Sequence, residues 1–362
     1  VTRRRATPAR SFLLLEFAIR PHDLTGTAKC STPRRPHQLR QTWEAVTSRW
    51  IGGTGGIGLC AAAMFGLHPL VAEPVSYISS RSESMATTAV LLSVLLFVPA
   101  GGVWRRAASV AAFSLGLMCK ATAAVLPLVI VLLCFAQRQR WRTVARTVAP
   151  YLGVLFAYLL TTRGIVSEAL VDDSLRAPWE QVGNQLRAGV YYLRLAVLPH
   201  PLTIEHPFAV TQSLGDSVVV CSAALLVSAV FTLGLGGRIR LPGVLFSWSM
   251  LALLPTAVVP LNVLVSERRL YPALAVASIA LAVMLVRSFP VRRAQALAFT
   301  LTAVLAMLSV ERSVVWASER QLWSEAAAVN HHSARPLIQL AAQCRQSAMF
   351  DSARNLLQVA LR

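Results

Sequence analysis

Residues 121–142, ATAAVLPLVIVLLCFAQRQRWR, join an uncharged apolar run to an arginine-rich link. The first sixteen residues contain no charged side chain, and the last six contain three arginines and no acid. The same succession recurs between residues 51 and 310. In hydrocarbon only a helix or a closed barrel satisfies the backbone, and the period-two alternation of barrel strands is absent. The pattern predicts a chain that crosses a membrane repeatedly as α-helices.

The composition supports a membrane protein. Hydrophobic residues make up 55% of the chain and charged residues 14%, which is too little charge to cover a soluble domain of 362 residues. Nine apolar runs are interpreted as spans, with approximate limits because several are shorter than the roughly 20 residues of a straight span. They cover about residues 51–67, 85–103, 107–119, 121–136, 144–162, 217–236, 244–261, 271–286 and 294–310.

The links between the runs alternate in charge. Every second link is basic and has no acid, namely 104–106, 137–146, 236–240 and 287–293. The other links carry the acids Glu73, Glu83, Glu168, Asp172, Asp173, Glu180 and Glu267. The positive-inside rule places the basic links in the cytoplasm and the acidic links outside. It also accounts for the net charge of +19, so we predict a bilayer partner and no nucleic acid.

This sidedness constrains the segment between residues 186 and 217. If residues 188–198 crossed the membrane, every later basic link would lie outside. We therefore predict that Tyr191 to Leu195 belong to an interfacial or re-entrant helix, which ends at His200-Pro201. The N-terminus is then cytoplasmic and the C-terminus lies outside, in the periplasm of a bacterium or the lumen of the endoplasmic reticulum.

The sequence predicts three parts: a tail at 1–50, a multi-span domain at 51–310 and a helical region at 311–362. The tail holds ten Lys or Arg and three acids. Two interpretations stay open for it. It is a disordered basic segment near anionic lipid, or it is not authentic sequence of the ancestral fold, since the chain begins with Val1.

The last part contains two short helices, predicted at about 335–347 and 350–361. Small and large residues alternate along them at the spacing of a tetratricopeptide repeat. These residues are Leu337, Leu340, Ala341, Cys344, Ala348, Phe350, Ala353, Leu357 and Ala360. One repeat cannot bury its faces alone, so we expect it to pack on the membrane domain or to be followed by further repeats.

Three polar clusters lie in the outward links. His68, Glu73, Arg81 and Glu83 are groups that bind phosphate or transfer protons, but they also suit a capped loop in which Arg81 pairs with either acid. Lys120, between two apolar runs, is equally suited to snorkelling and to holding a phosphate.

The third cluster is Ser266 to Tyr271, where Arg268 and Arg269 oppose the positive-inside trend. Glu267 is expected to neutralise one arginine and leave the other for an anion. Asp172-Asp173 is more typical of a solvated loop than of a metal site, and the six cysteines have no metal-binding spacing, so no metal is assigned.

Five motifs in register resemble one known family. They are Phe65-Gly66-Leu67-His68-Pro69 with Glu73, Val75, Arg81 and Glu83; Leu115-Gly116-Leu117-Met118-Cys119-Lys120; Tyr192-Leu193-Arg194-Leu195 with Pro199; Glu267-Arg268-Arg269-Leu270-Tyr271; and Glu319-Arg320-Gln321-Leu322-Trp323. Over about residues 58–362 the chain is similar to the transmembrane and tetratricopeptide-repeat proteins, O-mannosyltransferase-like proteins with the GT-C membrane fold.

The resemblance implies an all-α GT-C-like bundle that transfers a sugar from a polyprenyl-phosphate donor to a protein hydroxyl. Arg81, Lys120, Arg268 and Arg269 are candidates for the donor phosphate because they share the outward side. His68, Glu73, Glu83, Glu267 and Tyr271 are candidates for lining the pocket. Residues 1–50 show neither the first spans nor the acidic loop of that family, so we expect an N-terminally incomplete chain and assign no catalytic residue.

Two other functions are alternatives to sugar transfer. A non-catalytic scaffold that recruits a protein partner through its repeat is favoured by the missing acidic loop. A transporter would require ionisable residues within the spans, and the runs are almost free of charge.

The predicted sidedness is testable with reporters of membrane side. A reporter inserted at Arg140 is expected in the cytoplasm and one at Asn330 outside, because an odd number of spans separates them. The same compartment for both reporters would contradict the topology and the outward pocket.

Overall fold

The computed structural model describes residues 55–97, 102–171, 177–208, 210–211, 213–235, 240–255, 263–331 and 333–361. Within these ranges the protein is mostly helical and contains no β-strand. The basic tail at 1–50, the Asp172-Asp173 pair and most of the basic link at 236–240 lie outside the described residues.

Fourteen α-helices occur in the described ranges. They are α1 Gly55–Gly66, α2 Ala72–Ser76, α3 Arg81–Phe97, α4 Val103–Cys119, α5 Leu126–Ala136, α6 Trp141–Val171, α7 Pro178–Val197, α8 Ser217–Leu235, α9 Arg240–Ala252, α10 Tyr271–Ser288, α11 Val291–Trp316, α12 Glu319–Val329, α13 Ala334–Gln346 and α14 Phe350–Ala360. Short 3₁₀ turns occur at Pro69–Val71, Ile78–Ser80, Ala121–Val125 and Glu267–Leu270.

Among the described residues, three helical segments are long and apolar enough to cross a membrane: Trp141–Gly164, Glu267–Ser288 and Val291–Trp316. The pair Gly56–Gly66 and Pro69–Ser76, bent by 65°, adds a fourth if it is counted as one span. Shorter apolar segments of 10–17 described residues are Ala121–Ala136, Ser217–Val227 and Leu241–Ala252. Length and composition therefore support three or four spans, and the nine-span topology stays a prediction.

The charged links lie at two ends of the helix bundle. Lys120, after α4, meets Glu83 in the first turn of α3, so these helices are antiparallel. Arg268, before α10, contacts Ser80, so α10 also begins here. We call this the site end. The opposite end contains the α3–α4, α5–α6 and α10–α11 links with Arg105, Arg106, Arg138, Arg140, Arg142, Arg146, Arg287, Arg292 and Arg293, and we call it the arginine end.

The chain after α7 runs back along that helix. Asn184 bonds the backbone N–H and C=O of Thr211, and the Tyr191 hydroxyl lies 3.0 Å from Nδ1 of His206. Val219, in the first turn of α8, then packs beside Gly183. The start of α7 and the start of α8 are therefore neighbours, and the interfacial or re-entrant interpretation of this segment stays a prediction.

The C-terminal helices α13 and α14 lie within one residue of the two helices that the sequence predicts. They pack through Ala341, Cys344 and Ala353, small residues that allow the two backbones to approach. Asn330, between α12 and α13, donates to the backbone carbonyl of His206. The region is thereby bonded to the α7 return segment, and its assignment to a repeat class stays a prediction.

Hydroxyl groups join α3, α4 and α6 inside the bundle. Ser93 and Ser109 each donate to the other's backbone carbonyl at 2.7 Å, and the Ser109 and Tyr151 hydroxyls lie 2.6 Å apart. All three side chains are buried. Interhelical hydrogen bonds and small residues at the contact are the usual means of association between apolar helices.

The Tyr151 hydroxyl is expected to stabilise the bundle measurably. Tyr151→Phe should lower the free energy of unfolding by about 1 kcal/mol, because a buried hydrogen bond is lost. Thermal unfolding in detergent measures the change. Tyr158→Phe is the matched control on α6, since the Tyr158 hydroxyl has no partner among the described residues. Equal effects of the two changes would contradict a role for the bond.

Candidate functional site

The site end brings together the links before α3, before α5 and before α10. These links contain the sequence-predicted candidates from His68 to Tyr271. Because α3 and α10 begin here and α4 ends here, residues almost 200 positions apart become neighbours. The structure divides the candidates into two surface ion pairs, one unpaired arginine and a buried network.

The first ion pair joins Lys120 to Glu83. The Lys120 Nζ lies 2.6 Å from Oε2 of Glu83, and the Thr122 hydroxyl donates to Oε1 at 2.9 Å. The Glu83 side chain is 2% exposed, whereas that of Lys120 is 31% exposed. The carboxylate therefore holds the ammonium in place while part of the ammonium remains accessible from the surface.

The second ion pair joins Arg268 to Glu73. The Arg268 backbone N–H donates to Oε2 of Glu73 at 2.8 Å, and its Nε lies 3.9 Å from Oε1. Ser266 donates to the same carboxylate, and Nη1 of Arg268 donates to the Ser80 hydroxyl at 3.4 Å. The Arg268 side chain is 33% exposed. Glu73 is thus a buried positioning group, and Arg268 has spare hydrogen-bond donors.

Arg81 is exposed and has no side-chain partner among the described residues. The capped-loop alternative paired it with Glu73 or Glu83, but the structure gives those carboxylates to Arg268 and Lys120. Along the chain, Arg81 directly follows Ser80, which contacts Arg268, and precedes Glu83, which contacts Lys120, by two residues. The surface part of the site therefore has three cations and two carboxylates.

His68 and Tyr271 support the backbone around the site. Nδ1 of His68 accepts from the Leu70 N–H at 3.3 Å, so its Nε2 carries the proton that bonds the Ala196 carbonyl. This pattern fixes a neutral imidazole that joins the α1–α3 link to the end of α7. The ring of Tyr271 packs on Phe65 at 4.9 Å between centroids.

Arg269 is buried and already engaged. Its Nη1 and Nη2 donate to the backbone carbonyls of Leu264 and Val263 at 2.7 and 2.6 Å. These bonds satisfy two backbone carbonyls of the segment before α10, as a capping side chain satisfies backbone groups at a helix end. The sequence predicts that one of the two adjacent arginines is left for an anion, and that arginine is Arg268. Arg269 is therefore not among the cations proposed to bind the ligand.

Glu267 does not neutralise its arginine neighbours. Its fully buried Oε1 accepts from the Thr203 N–H at 2.7 Å and from Nη2 of Arg312 at 3.4 Å, and it lies 3.5 Å from Nε2 of His206. Arg312 also reaches Glu325 on α12 at 2.7 Å. The Glu267 network therefore joins α10, the α7 return segment, α11 and the C-terminal helices, and it does not line a surface pocket.

Sequence reasoning did not find several members of these groups. Ser80, Thr122 and Thr203 act through single hydroxyl or amide bonds, and their residue types are too common to stand out. Arg312 had one available signal, since it is a charge placed just after an apolar run. Among the described residues there is no cluster of three or more His, Cys, Asp or Glu that would hold a metal ion.

Comparison with known proteins gives no match for this chain, whether to a family model, a curated protein or a solved structure.

Loss of the buried carboxylate should destabilise the protein strongly. Glu267→Ala is expected to cost about 3–5 kcal/mol, because Arg312 would remain buried without its partner in the core. Thermal unfolding in detergent measures the loss, and limited proteolysis shows whether α12–α14 become more accessible. Glu311→Ala, an exposed acid next to Arg312, is the control. Similar melting temperatures for the two variants would refute the role given to Glu267.

Proposed function

We propose that this protein is a membrane glycosyltransferase-like protein that takes a sugar from a polyprenyl-phosphate donor and passes it to a protein hydroxyl. The observation that carries the proposal is the set of accessible cations at the site end, Arg81, Lys120 and Arg268. A lipid-linked phosphate presents its charge outside the hydrocarbon, and these three side chains are exposed in whole or in part and so accessible to such a ligand.

The chemistry of the three cations suits a phosphate diester or pyrophosphate. Arginine offers a planar fork of donors, and lysine offers a compact point charge. Lys120 and Arg268 are each about one third exposed while their carboxylates hold them. They are therefore ordered before the ligand binds, which reduces the entropy lost on binding. Arg81, without a partner, supplies the net positive charge of the group.

The proposed topology follows from the distribution of charge. With nine spans and the arginine end in the cytoplasm, the site end lies outside, and the prenyl chain of the donor lies in the outer leaflet. The C-terminal helical region lies on the same side, bonded to the α7 return segment. It is placed to receive a protein acceptor as a tetratricopeptide repeat does. Glu73 and Glu83 shape the pocket, and the catalytic residue stays unassigned.

A non-catalytic scaffold is the second candidate. Two observations favour it: each carboxylate of the surface site is already paired with a cation, and Glu267 and Arg269 are used within the fold. The exposed apolar side chains of Phe350 and Leu357 on α14 would then contact a recruited protein.

Binding of the donor tests the proposal directly. Purified protein in detergent is titrated with a fluorescent polyprenyl-phosphate hexose. Lys120→Ala and Arg81→Ala should each weaken binding about tenfold, since each loses roughly one charge-assisted hydrogen bond worth ~1.4 kcal/mol. Arg320→Ala, which removes an exposed arginine of α12, should bind like the unaltered protein.

Transfer is measured in the same preparation with a labelled sugar donor and a mixture of protein acceptors. If the Lys120→Ala variant incorporates less label than the unaltered protein, the result supports the transferase. Donor binding with no incorporation favours the scaffold. Binding that is unchanged in Lys120→Ala, Arg81→Ala and Arg268→Ala would refute the phosphate site.

A further inference from the structure

The arginine end carries charge that the proposed function does not use. Eight arginines at this end are exposed: Arg105, Arg106, Arg138, Arg140, Arg142, Arg146, Arg292 and Arg293. None of their side chains forms a salt bridge or hydrogen bond with a described residue. The segments 102–110, 137–147 and 286–294 contain no Asp or Glu. This is the reverse of the site end, where two of three surface cations have a carboxylate partner.

Six of these arginines come from two neighbouring links, the α3–α4 link and the α5–α6 link. The Ser109 and Tyr151 hydroxyls, 2.6 Å apart, fix α4 against α6. Arg105 and Arg106 precede Ser109 by four and three residues, and Arg146 precedes Tyr151 by five. At 1.5 Å per residue, all three lie within about 8 Å of this bond along the helix axes. Guanidinium groups so placed repel one another unless an anion lies between them.

Exposed tryptophans stand beside these arginines. Trp104 is 87% exposed and Trp141 is 67% exposed, and Trp141 stacks on Phe135 at 6.2 Å. Trp is enriched where a membrane meets water. Trp141 is also the first residue of a candidate span, Trp141–Gly164. Arg142 and Arg146 lie in the first two turns of this candidate span, and in a membrane these turns would be at the depth of the lipid headgroups.

The backbone at Arg138 ends α5 and forms the tip of the α5–α6 link. This residue follows α5 with a φ of 54°, a left-handed conformation that favours glycine. The Arg138 and Gln139 amides close the helix on the carbonyls of Phe135 and Cys134 at 2.9 and 3.1 Å. Glycine would make the same turn without strain. Ala348 makes the same left-handed turn after α13, so the conformation belongs to the helix end, and it leaves Arg138 exposed at the tip of the α5–α6 link.

We propose that Arg105, Arg106, Arg138, Arg142 and Arg146 form a binding site for the headgroup phosphate of an anionic phospholipid. The guanidinium forks pair with the phosphate oxygens, and Trp104 and Trp141 lie at the boundary with the acyl chains. The lipid is favoured over nucleic acid because the cluster includes the start of a candidate span. The site lies at the end of the bundle opposite the donor site and does not depend on the transferase proposal.

The test uses the full chain in nanodiscs of phosphatidylcholine, with and without phosphatidylglycerol. Native mass spectrometry measures the phosphatidylglycerol retained per protein. The triple variant Arg105→Gln, Arg106→Gln, Arg146→Gln should retain at least tenfold less than the unaltered protein. The control, Arg163→Gln, Arg320→Gln, Arg345→Gln, removes three exposed arginines outside the cluster and should retain as much as the unaltered protein.

The Arg138→Gly variant tests whether a loss of phosphatidylglycerol retention could come from misfolding. It relieves the left-handed strain, so its melting temperature in phosphatidylcholine should be no lower than that of the unaltered protein, while its phosphatidylglycerol retention should fall several-fold. Retention that stays unchanged in both Arg138→Gly and the triple variant would overturn the site.

Two further measurements separate other anions from the lipid. Inorganic phosphate added in detergent should not raise the melting temperature as phosphatidylglycerol does. Short duplex DNA should not bind protein held in nanodiscs that contain phosphatidylglycerol. An equal effect of free phosphate, or DNA binding that the triple variant abolishes, would overturn the assignment to a lipid.

Discussion

The buried carboxylate of Glu267 is the interaction on which most of the described structure depends. A fully buried charge requires close partners, and here they come from distant parts of the chain: Arg312 on α11 and Thr203 and His206 on the α7 return segment. Arg312 extends the network to Glu325 on α12. One side chain thus fixes where three elements meet, and the adjacent Arg268 takes its position from the same short turn.

The two ends of the bundle differ in how their cationic side chains are paired. At the site end, buried carboxylates hold Lys120 and Arg268 in defined positions, so the cations are ordered but partly neutralised. At the arginine end, exposed guanidinium groups have no carboxylate beside them. The first arrangement suits a specific ligand of limited charge. The second suits a surface that is always covered by anions, which fits our two proposals for the two ends.

The sequence predicts the parts of this structure that depend on local pattern. The periodicity of small and large residues predicts the bounds of α13 and α14 to within one residue. The alternating charge of the links predicts which links lie at the site end and which lie at the arginine end. It does not predict partners across the chain. Glu83 pairs with Lys120 rather than Arg81, because pairing depends on which helix ends meet. Nor does it predict that Arg269 serves two backbone carbonyls, since those carbonyls exist at every residue. Apolar runs misjudge helix length in both directions. The run at 121–136 is longer than α5, which begins only at Leu126, whereas the run at 294–310 is shorter than α11, which extends to Trp316.

The hairpin of α3 and α4 has a consequence for the surrounding lipid. Each helix has 17 residues, which rise about 26 Å, whereas the hydrocarbon core of a typical bilayer is about 30 Å thick. In the proposed topology the reciprocal serine bonds fix the two short helices side by side, and helices shorter than the hydrocarbon cannot adapt by tilting. The bilayer beside them would therefore have to thin by a few ångströms, and each ångström of thinning would have a modest energetic cost. Hydrophobic mismatch would then favour thin membranes for this protein, such as that of the endoplasmic reticulum, over thick sterol-rich ones.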